Sequence, residues 1–348
     1  MFKTFFSVGG GYPAVIGSGA ISELGPAAAG AFPGGKAAVI TDTGVPREHV
    51  LACRAALESA GLGVFVCSIP AGESGKTLSA VSDIYGFLLE NGFTRADGIV
   101  GLGGGMVGDT AGFAAATYMR GTAFVSVPTT IVSQTDSAYG GKTGVDLGCA
   151  KNAVGVFSHP AAVVCDTEFL KTLPERERVC GMGEVIKYGA IASPELLGGV
   201  SRELPCDETV FTCAEIKRRF VEEDELDLGS RRALNFGHTL GHAFEAASGF
   251  TLPHGQAVAY GMLAVTRLGE RLGVTQSGVY GAIRSACERA GLDTSWEGLL
   301  SSALPLTSHD KKSDGSFIET VLLESIGRPI RKKLPPGFIA DERNYKSS

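Results

Sequence analysis

Over the first half of the chain, short apolar runs alternate with stretches of helical period. Residues 36–43 set Ala37, Ala38, Val39 and Ile40 between polar ends, the pattern of a buried strand running out into a polar loop. Residues 50–60 repeat at the helical period, 63–69 read as a strand, 78–90 as a helix, 98–101 as a strand, 107–117 as a helix and 124–127 as a strand. Continuous apolar strands separated by helices predict parallel βαβ units, because a strand covered on both faces needs no polar side. From about Pro174 onward the β-branched runs thin out and helical periods dominate. The pattern therefore predicts an α/β domain over residues 1–174 and an all-α domain over 175–348. The stretch after Pro335 and Pro336 reads as a loosely held end.

Composition narrows the class. Of 348 residues, 49 are glycine, about twice the usual ~7%, with no collagen period, so loops that approach a ligand closely are expected. Hydrophobic residues make up 44% and charged residues 20%, which excludes a disordered or coiled-coil chain. A net charge of −6 argues against nucleic acid as a partner. No run reaches the roughly 18 apolar residues of a membrane helix, and the start lacks the apolar stretch of a signal peptide. Eight scattered cysteines with no C-x-x-C pair fit reduced thiols in the cytoplasm.

Candidate chemistry falls in three places. Gly101 to Asp109 follows a predicted strand and opens a predicted helix, the context in which backbone N–H groups and a helix N-terminus hold a diphosphate. Asp42, at the end of the first predicted strand, is placed for ribose hydroxyls or a turn. Gly72 to Thr77 resembles a P-loop but fails, since Pro70 stands where the first glycine is required; Glu73 and Lys76 can still meet a nucleotide from a loop.

His238 and His242 are spaced i, i+4 on one predicted helical face, and His254 follows a short loop later. Three histidines within 17 residues point to a metal, and spacing alone selects His238 and His242 as ligands. Glu184 offers a carboxylate, and with Lys187 it has the i, i+3 spacing of an ordinary helix-surface pair. Residues 133–146, rich in glycine and polar groups, read as a functional loop. Arg120, Lys142, Lys151, Lys187, Lys217 and Arg231 are candidate cations for an anionic substrate.

Taken in order, Gly103–Asp109, Tyr118–Gly121, Pro128–Thr130, Gly140–Asp146, Thr172–Glu177, Gly183–Tyr188, Leu234–Glu245 and His254–Gly255 resemble the 3-dehydroquinate synthase family. The resemblance runs from about Gly72 to Gly327 and ends on Asp310–Lys312 and Leu322–Gly327. It implies a Rossmann-like NAD-binding domain, a helical metal-binding domain and an active site between them. The implied reaction converts 3-deoxy-arabino-heptulosonate 7-phosphate to 3-dehydroquinate and phosphate. It proceeds by transient NAD oxidation at C5, phosphate elimination, re-reduction and aldol closure.

By motif, the resemblance implies Glu184, His238 and His254 as ligands of one divalent zinc or cobalt ion, and makes His242 a substrate-facing histidine instead. Asp136, Lys142, Lys187, Lys217, Arg231 and Asn235 match catalytic positions, and Arg120, Lys151, Asn152 and Lys312 match substrate contacts. Asp42, Glu73, Lys76, Gly104, Gly105, Asp109, Thr129, Thr130, Lys142, Lys151, Thr172 and Glu177 match or adjoin the NAD-contacting segments. A homodimer is implied. The residues flanking Asp136 depart from the commoner apolar wording, and His159 replaces a more usual glutamine. Relatives acting on sedoheptulose 7-phosphate or glucose 6-phosphate usually lose the Gly140–Gly144 wording, which is intact here. The fold is also shared by metal-dependent polyol and glycerol-phosphate dehydrogenases, which typically use Asp as the carboxylate ligand.

Overall fold

The computed structural model describes residues 1–148, 150–309 and 317–345. The chain divides into two compact units: Met1–Pro174 with Leu204–Leu226, and Glu175–Glu203 with Asp227–Ser348.

The first unit opens with strands β1 (Phe2–Phe6) and β2 (Tyr12–Ile16), followed by helix α1 (Leu24–Ala31). Then come β3 (Lys36–Asp42), α2 (Arg47–Ser59), β4 (Gly63–Ile69), α3 (Leu78–Glu90), β5 (Gly98–Gly103), α4 (Gly105–Thr117) and β6 (Ala123–Pro128). A hairpin of β7 (Lys142–Leu147) and β8 (Ala150–Phe157) precedes β9 (Ala162–Cys165). Among the described residues, seven strands form one sheet in the order β1-β2-β9-β6-β5-β3-β4, parallel throughout except for the antiparallel β1–β2 pair.

Strand β3 explains why the apolar runs carry no alternation. Ala37 and Val39 pack into one core layer with Leu24, Phe32 and Leu57, while Ala38 and Ile40 pack into the other with Val81, Ile84 and Ala111. Both faces are dry, so both parities are apolar. The sheet order also reverses here: the chain leaves β3 toward β4 on one side and re-enters at β5 on the other. Ligands of open α/β sheets bind at the carboxyl ends of strands flanking such a reversal. Asp42 and Gly103 occupy those ends.

The second unit begins with α5 (Glu175–Ala192) and α6 (Pro194–Gly199). Helix α7 (Asp207–Glu223) belongs to the first unit, where it packs on β1 and on the short π-helical turn Ser133–Ser137. The expectation of an uninterrupted C-terminal domain from residue 175 did not anticipate this return, whose cause is a set of contacts remote in sequence, such as Phe2 stacked on Phe211 at 4.7 Å. The second unit continues with α8 (His238–Ala247), α9 (His254–Arg271), α10 (Val279–Ala290) and α11 (Glu297–Ala303). It ends with an antiparallel hairpin of β10 (Ile318–Ser325) and β11 (Arg328–Leu334) and the short α12 (Pro336–Ile339).

The C-terminal unit is helical but not all-α, because β10, a strand that buries Ile318 and the run Thr320 to Leu323, pairs with β11 in an antiparallel hairpin. Nor is the end loose up to Tyr345: Ile339 and Tyr345 are buried, and the Tyr345 hydroxyl donates to the Ile339 carbonyl at 3.0 Å.

Helices α5, α8 and α9 approach one another through glycines. A Cβ on Gly255 would lie 1.7 Å from the Cys180 carbonyl oxygen, and one on Gly183 would lie 2.4 Å from the Gly255 carbonyl oxygen. On the α8 side, a Cβ on Gly261 would lie 1.9 Å from the Gly237 carbonyl oxygen. Gly183 and Gly255 each adjoin a candidate ligand, Glu184 or His254, so this close crossing sets the distance between them. Gly255→Ala is expected to push α9 away from α5, costing about 1–3 kcal/mol or more in stability. Because the ligands move with the helices, bound metal should be lost as well; thermal melting with elemental analysis measures both.

Candidate functional site

In the second unit, Glu184, His238 and His254 each offer one ligand atom, and these atoms lie within 4.8 Å of one another. Glu184 sits mid-helix on α5 with no solvent exposure. Its Oε1 is 3.5 Å from His238 Nε2 and 3.5 Å from His254 Nε2. Each imidazole is anchored through its other nitrogen. His238 Nδ1 meets the Phe236 carbonyl at 3.2 Å, and His254 Nδ1 meets Glu245 Oε1 at 3.3 Å.

The two histidines differ electrostatically. Burial drives the His238 pKa down to about 3, the Glu184 carboxylate opposing only in part. For His254 burial also favours the neutral ring, but the Glu184 and Glu245 carboxylates on either side outweigh it and raise the pKa. The site thus holds one imidazole poised as a neutral donor and one that must release a proton to donate from Nε2.

The i, i+3 reading of Glu184 and Lys187 as a helix-surface pair is overturned: the two form an ion pair with side chains 0% and 1% exposed. Helix α5 is buried on every side from Gly181 to Ile191, so nothing in the pair faces water. His242 lies one turn past His238 with its ring 5.6 Å away, exposed, and 6.2 Å from the ring of His254. It joins a second possible ligand group with Glu245 and His254, also within 4.8 Å. In the same unit Arg231 is buried and Asn235 is half-buried, both on the turn that leads into α8. Lys312 lies outside the described residues.

In the first unit, the glycine loop Gly103–Gly105 joins β5 to α4. Gly104 is the N-cap and has no side chain to satisfy the first-turn N–H groups, the condition for an anion site. The absence of Cβ atoms also lets neighbours close in. A Cβ on Gly105 would lie 2.9 Å from Ser137 Oγ, and one on Gly104 would lie 3.2 Å from Thr130 Cγ2. Thr129 N–H donates to the Gly103 carbonyl at 2.9 Å. Asp42, half-buried, accepts from Gly44 N–H at 2.7 Å and shapes the turn after β3.

Lys76 is buried, and its ammonium donates to Asp109 Oδ2 at 2.6 Å and to Asn152 Oδ1 at 2.5 Å. Burial pushes the Asp109 carboxyl up while Lys76 pulls it down, so Lys76 favours the ionised form of Asp109. Lys217, on α7, donates to both the carbonyl and the Oδ1 of Asp136, at 2.6 and 2.5 Å. A small, open cleft is lined by Asp109, Ser137, Gly141 and Lys142, among others. Arg120 is exposed, with a left-handed φ of 65°. Glu73 and Thr172 are exposed on turns of the same unit, whereas Glu177 is exposed in the first turn of α5 in the other unit.

Two polar partners of these residues escaped sequence reasoning. Glu245 follows His238 at i+7 and His242 at i+3, spacings that keep all three on one face of α8 and were there to be read. His49 meets Thr172 Oγ1 through Nε2 at 2.7 Å, across 123 residues, and no local pattern announces it.

An open, mainly parallel α/β sheet with a glycine loop at its reversal point, together with a helical unit carrying a Glu-His-His group, defines the dehydroquinate synthase-like class. Solved structures share this fold. A 2-deoxy-scyllo-inosose synthase complexed with carbaglucose-6-phosphate, NAD+ and Co2+ superposes with a TM-score of 0.86 over 97% of this chain and 98% of that one, at 24% identity. A 2-epi-5-epi-valiolone synthase from Streptomyces hygroscopicus with NAD+ and Zn2+ superposes with a TM-score of 0.80 over 94% of both chains, at 22% identity. Two family models match consecutively, 3-dehydroquinate synthase N-terminal over residues 66–180 and 3-dehydroquinate synthase C-terminal over 181–313. The 3-dehydroquinate synthase of Streptococcus gordonii is 43% identical over 93% of this chain and 94% of its own length. That of Streptococcus suis is 42% identical over the same shares. The chain belongs to the 3-dehydroquinate synthase family.

Proposed function

We propose that the protein is a 3-dehydroquinate synthase of the shikimate pathway, a phosphate-eliminating cyclase that forms 3-dehydroquinate from 3-deoxy-arabino-heptulosonate 7-phosphate. The observation that carries this reading is identity above 40% with relatives of that name over nine-tenths of the chain, with Glu184, His238 and His254 assembled into one ligand group.

Two imidazoles and one carboxylate form a donor set suited to zinc or cobalt, and three protein ligands leave positions open for a substrate. When bound, the metal lowers the pKa of a substrate hydroxyl and NAD supplies a transient hydride acceptor, which acidifies the C–H that must be lost before phosphate departs. Glu184, His238 and His254 hold the metal in this reading, and the glycine loop with Asp42, Glu73, Lys76, Asp109, Thr129, Thr130 and Thr172 serves the dinucleotide. Lys142 and Lys151 are assigned to the same dinucleotide and also to substrate, and Arg120, Asn152 and Lys312 are assigned by motif to pair with the substrate's carboxylate and phosphate.

Lys217 donates to the carbonyl and to one carboxylate oxygen of Asp136, which fixes the orientation of that carboxylate for a role near the reacting carbons. In the helical unit Lys187, Arg231, Asn235 and His242 are assigned to substrate in this proposal, and Lys187 also offsets the buried charge of Glu184. The protein works as a cytoplasmic homodimer on a small anionic sugar phosphate, without nucleic acid, a reading the net charge of −6 supports. No helix among the described residues is long and apolar enough to cross a membrane.

The test is phosphate release from the heptulosonate phosphate with the product identified by mass. NAD should be needed in catalytic amounts only, and no NADH should build up at 340 nm while phosphate appears. Stoichiometric NADH would assign the chain to simple alcohol oxidation instead.

A further inference from the structure

We propose that Glu245 is a positioning residue for the metal centre. It accepts the Nδ1–H of His254 and so presents the Nε2 lone pair of that ring toward Glu184 and His238. The inference rests on the metal reading above and goes beyond its ligand set.

The His254 imidazole meets a carboxylate at each of its two nitrogens. His254 Nε2 lies 3.5 Å from Glu184 Oε1, and Nδ1 lies 3.3 Å from Glu245 Oε1. A neutral ring carries one proton, so if Nε2 is to be the donor atom, Nδ1 must hold the hydrogen and give it to Glu245. His238 solves the same problem with a backbone carbonyl, that of Phe236. An ionised acceptor does more than a carbonyl, because it both fixes the tautomer and makes the opposite nitrogen a stronger donor.

The stronger anchor serves the ligand that needs it. His254 is the first residue of α9, directly after Pro253, and its side chain is 39% exposed against 14% for His238. That ring is less covered than the ring of His238, whereas Glu245 is 4% exposed on α8. A buried carboxylate is costly unless it is hydrogen-bonded, which accounts for the pairing from the Glu245 side too.

The rival arrangement makes Glu245 itself a ligand with His242 and His254, since those atoms also lie within 4.8 Å. It would use Nδ1 of His254 and release Nε2 from Glu184. The two arrangements cannot hold at once, so metal affinity separates them.

The experiment titrates the metal-free full chain with Co2+ in competition with a chelating dye. It also records the visible absorption of bound Co2+ and, separately, NAD affinity. Glu245→Ala is expected to weaken Co2+ binding by about 10–100-fold and to change the Co2+ spectrum, with NAD affinity unmoved. Glu245→Gln keeps an oxygen that accepts the Nδ1–H and is expected to recover most of the affinity. His242→Ala should bind Co2+ as the parent does. Parent-like affinity and spectrum in Glu245→Ala would overturn the proposal. So would a loss in both Glu245→Gln and His242→Ala as deep as that in Glu184→Ala. If Glu184→Ala itself binds Co2+ as tightly as the parent, the metal reading fails, a result distinguishable from either of these.

Discussion

Glu184→Ala is expected to abolish bound metal and to lower the rate of phosphate release by about 10³-fold or more, the scale of the several kcal/mol that a Lewis acid supplies to a transition state. The loss should not stop at activity. Lys187 is paired with Glu184 at a site where neither side chain meets water, and removing one partner of a buried pair costs about 3–5 kcal/mol. The single variant should therefore unfold at lower denaturant than the parent. Glu184→Ala combined with Lys187→Met should regain most of that stability while staying metal-free and inactive. This pattern separates the two duties of Glu184, since stability follows the ion pair and metal content follows the ligand. A Glu184→Ala protein that retains one equivalent of metal by elemental analysis would remove Glu184 from the centre.

Metal affinity should also depend on pH in a known direction. The carboxylates beside His254 raise its pKa in the metal-free protein, so at neutral pH the ring carries a proton that binding must displace. Affinity should rise with pH until that proton is gone. His238, already neutral because burial lowers its pKa to about 3, adds no such dependence.

How much of this was legible in the sequence depends on whether the signal is local. The expected helix over 78–90 and strand over 63–69 match α3 and β4 residue for residue, because α3 repeats its buried residues Ala80, Val81, Ile84 and Leu88 at the helical period and β4, a half-buried edge strand, is a short apolar run. The hairpin β7–β8 was invisible for the opposite reason. Its residues are largely exposed and interrupted by Gly144, Gly148 and Gly155, so the stretch reads as a loop although it is paired strand. Gly144 and Gly155 face each other at a spacing that leaves no room for a Cβ, which the sequence shows only as two glycines.

The site divides in the same way. His238, His242 and Glu245 share a helix face and can be found by counting. Lys217 and Asp136 are 81 residues apart, and their contact exists only because α7 leaves the helical half of the sequence to pack on the sheet unit. Spacing also misjudged Glu184 and Lys187, since i, i+3 describes adjacency on a helix and is silent on which face is wet. Resemblance supplied the proposed ligand group that spacing did not, because its member His254 stands on a helix whose approach is decided by Gly183, Gly255 and Gly261 rather than by any motif around His254 itself.

Lys76→Met tests the corresponding coupling in the dinucleotide unit. One buried ammonium joins three pieces of chain: its own turn, α4 through Asp109 one helical turn past the glycine loop, and β8 through Asn152. The backbone repeats the tie, since Asp146 N–H donates to the Lys76 carbonyl at 2.9 Å and Asp146 Oδ1 accepts from Asn152 N–H at 2.6 Å. Asn152 holds a left-handed φ of 50°, a conformation that costs energy in a non-glycine residue and persists only where contacts enforce it. Methionine keeps the volume and removes both charge-assisted hydrogen bonds, each worth about 1.5–3 kcal/mol. A loss in kcat/KM of about 100-fold or more is expected. The division of that loss is the informative part. Without Lys76 the burial that favours the protonated form of Asp109 is opposed only by the weaker attraction of Lys217, so NAD affinity should fall and its pH dependence should move upward. Asn152 and the hairpin lose their tether as well, so kcat should fall even at saturating NAD. If Lys76 were only a dinucleotide contact, saturation with NAD would restore kcat fully, and that recovery would refute the coupling between the glycine loop and the β7–β8 hairpin.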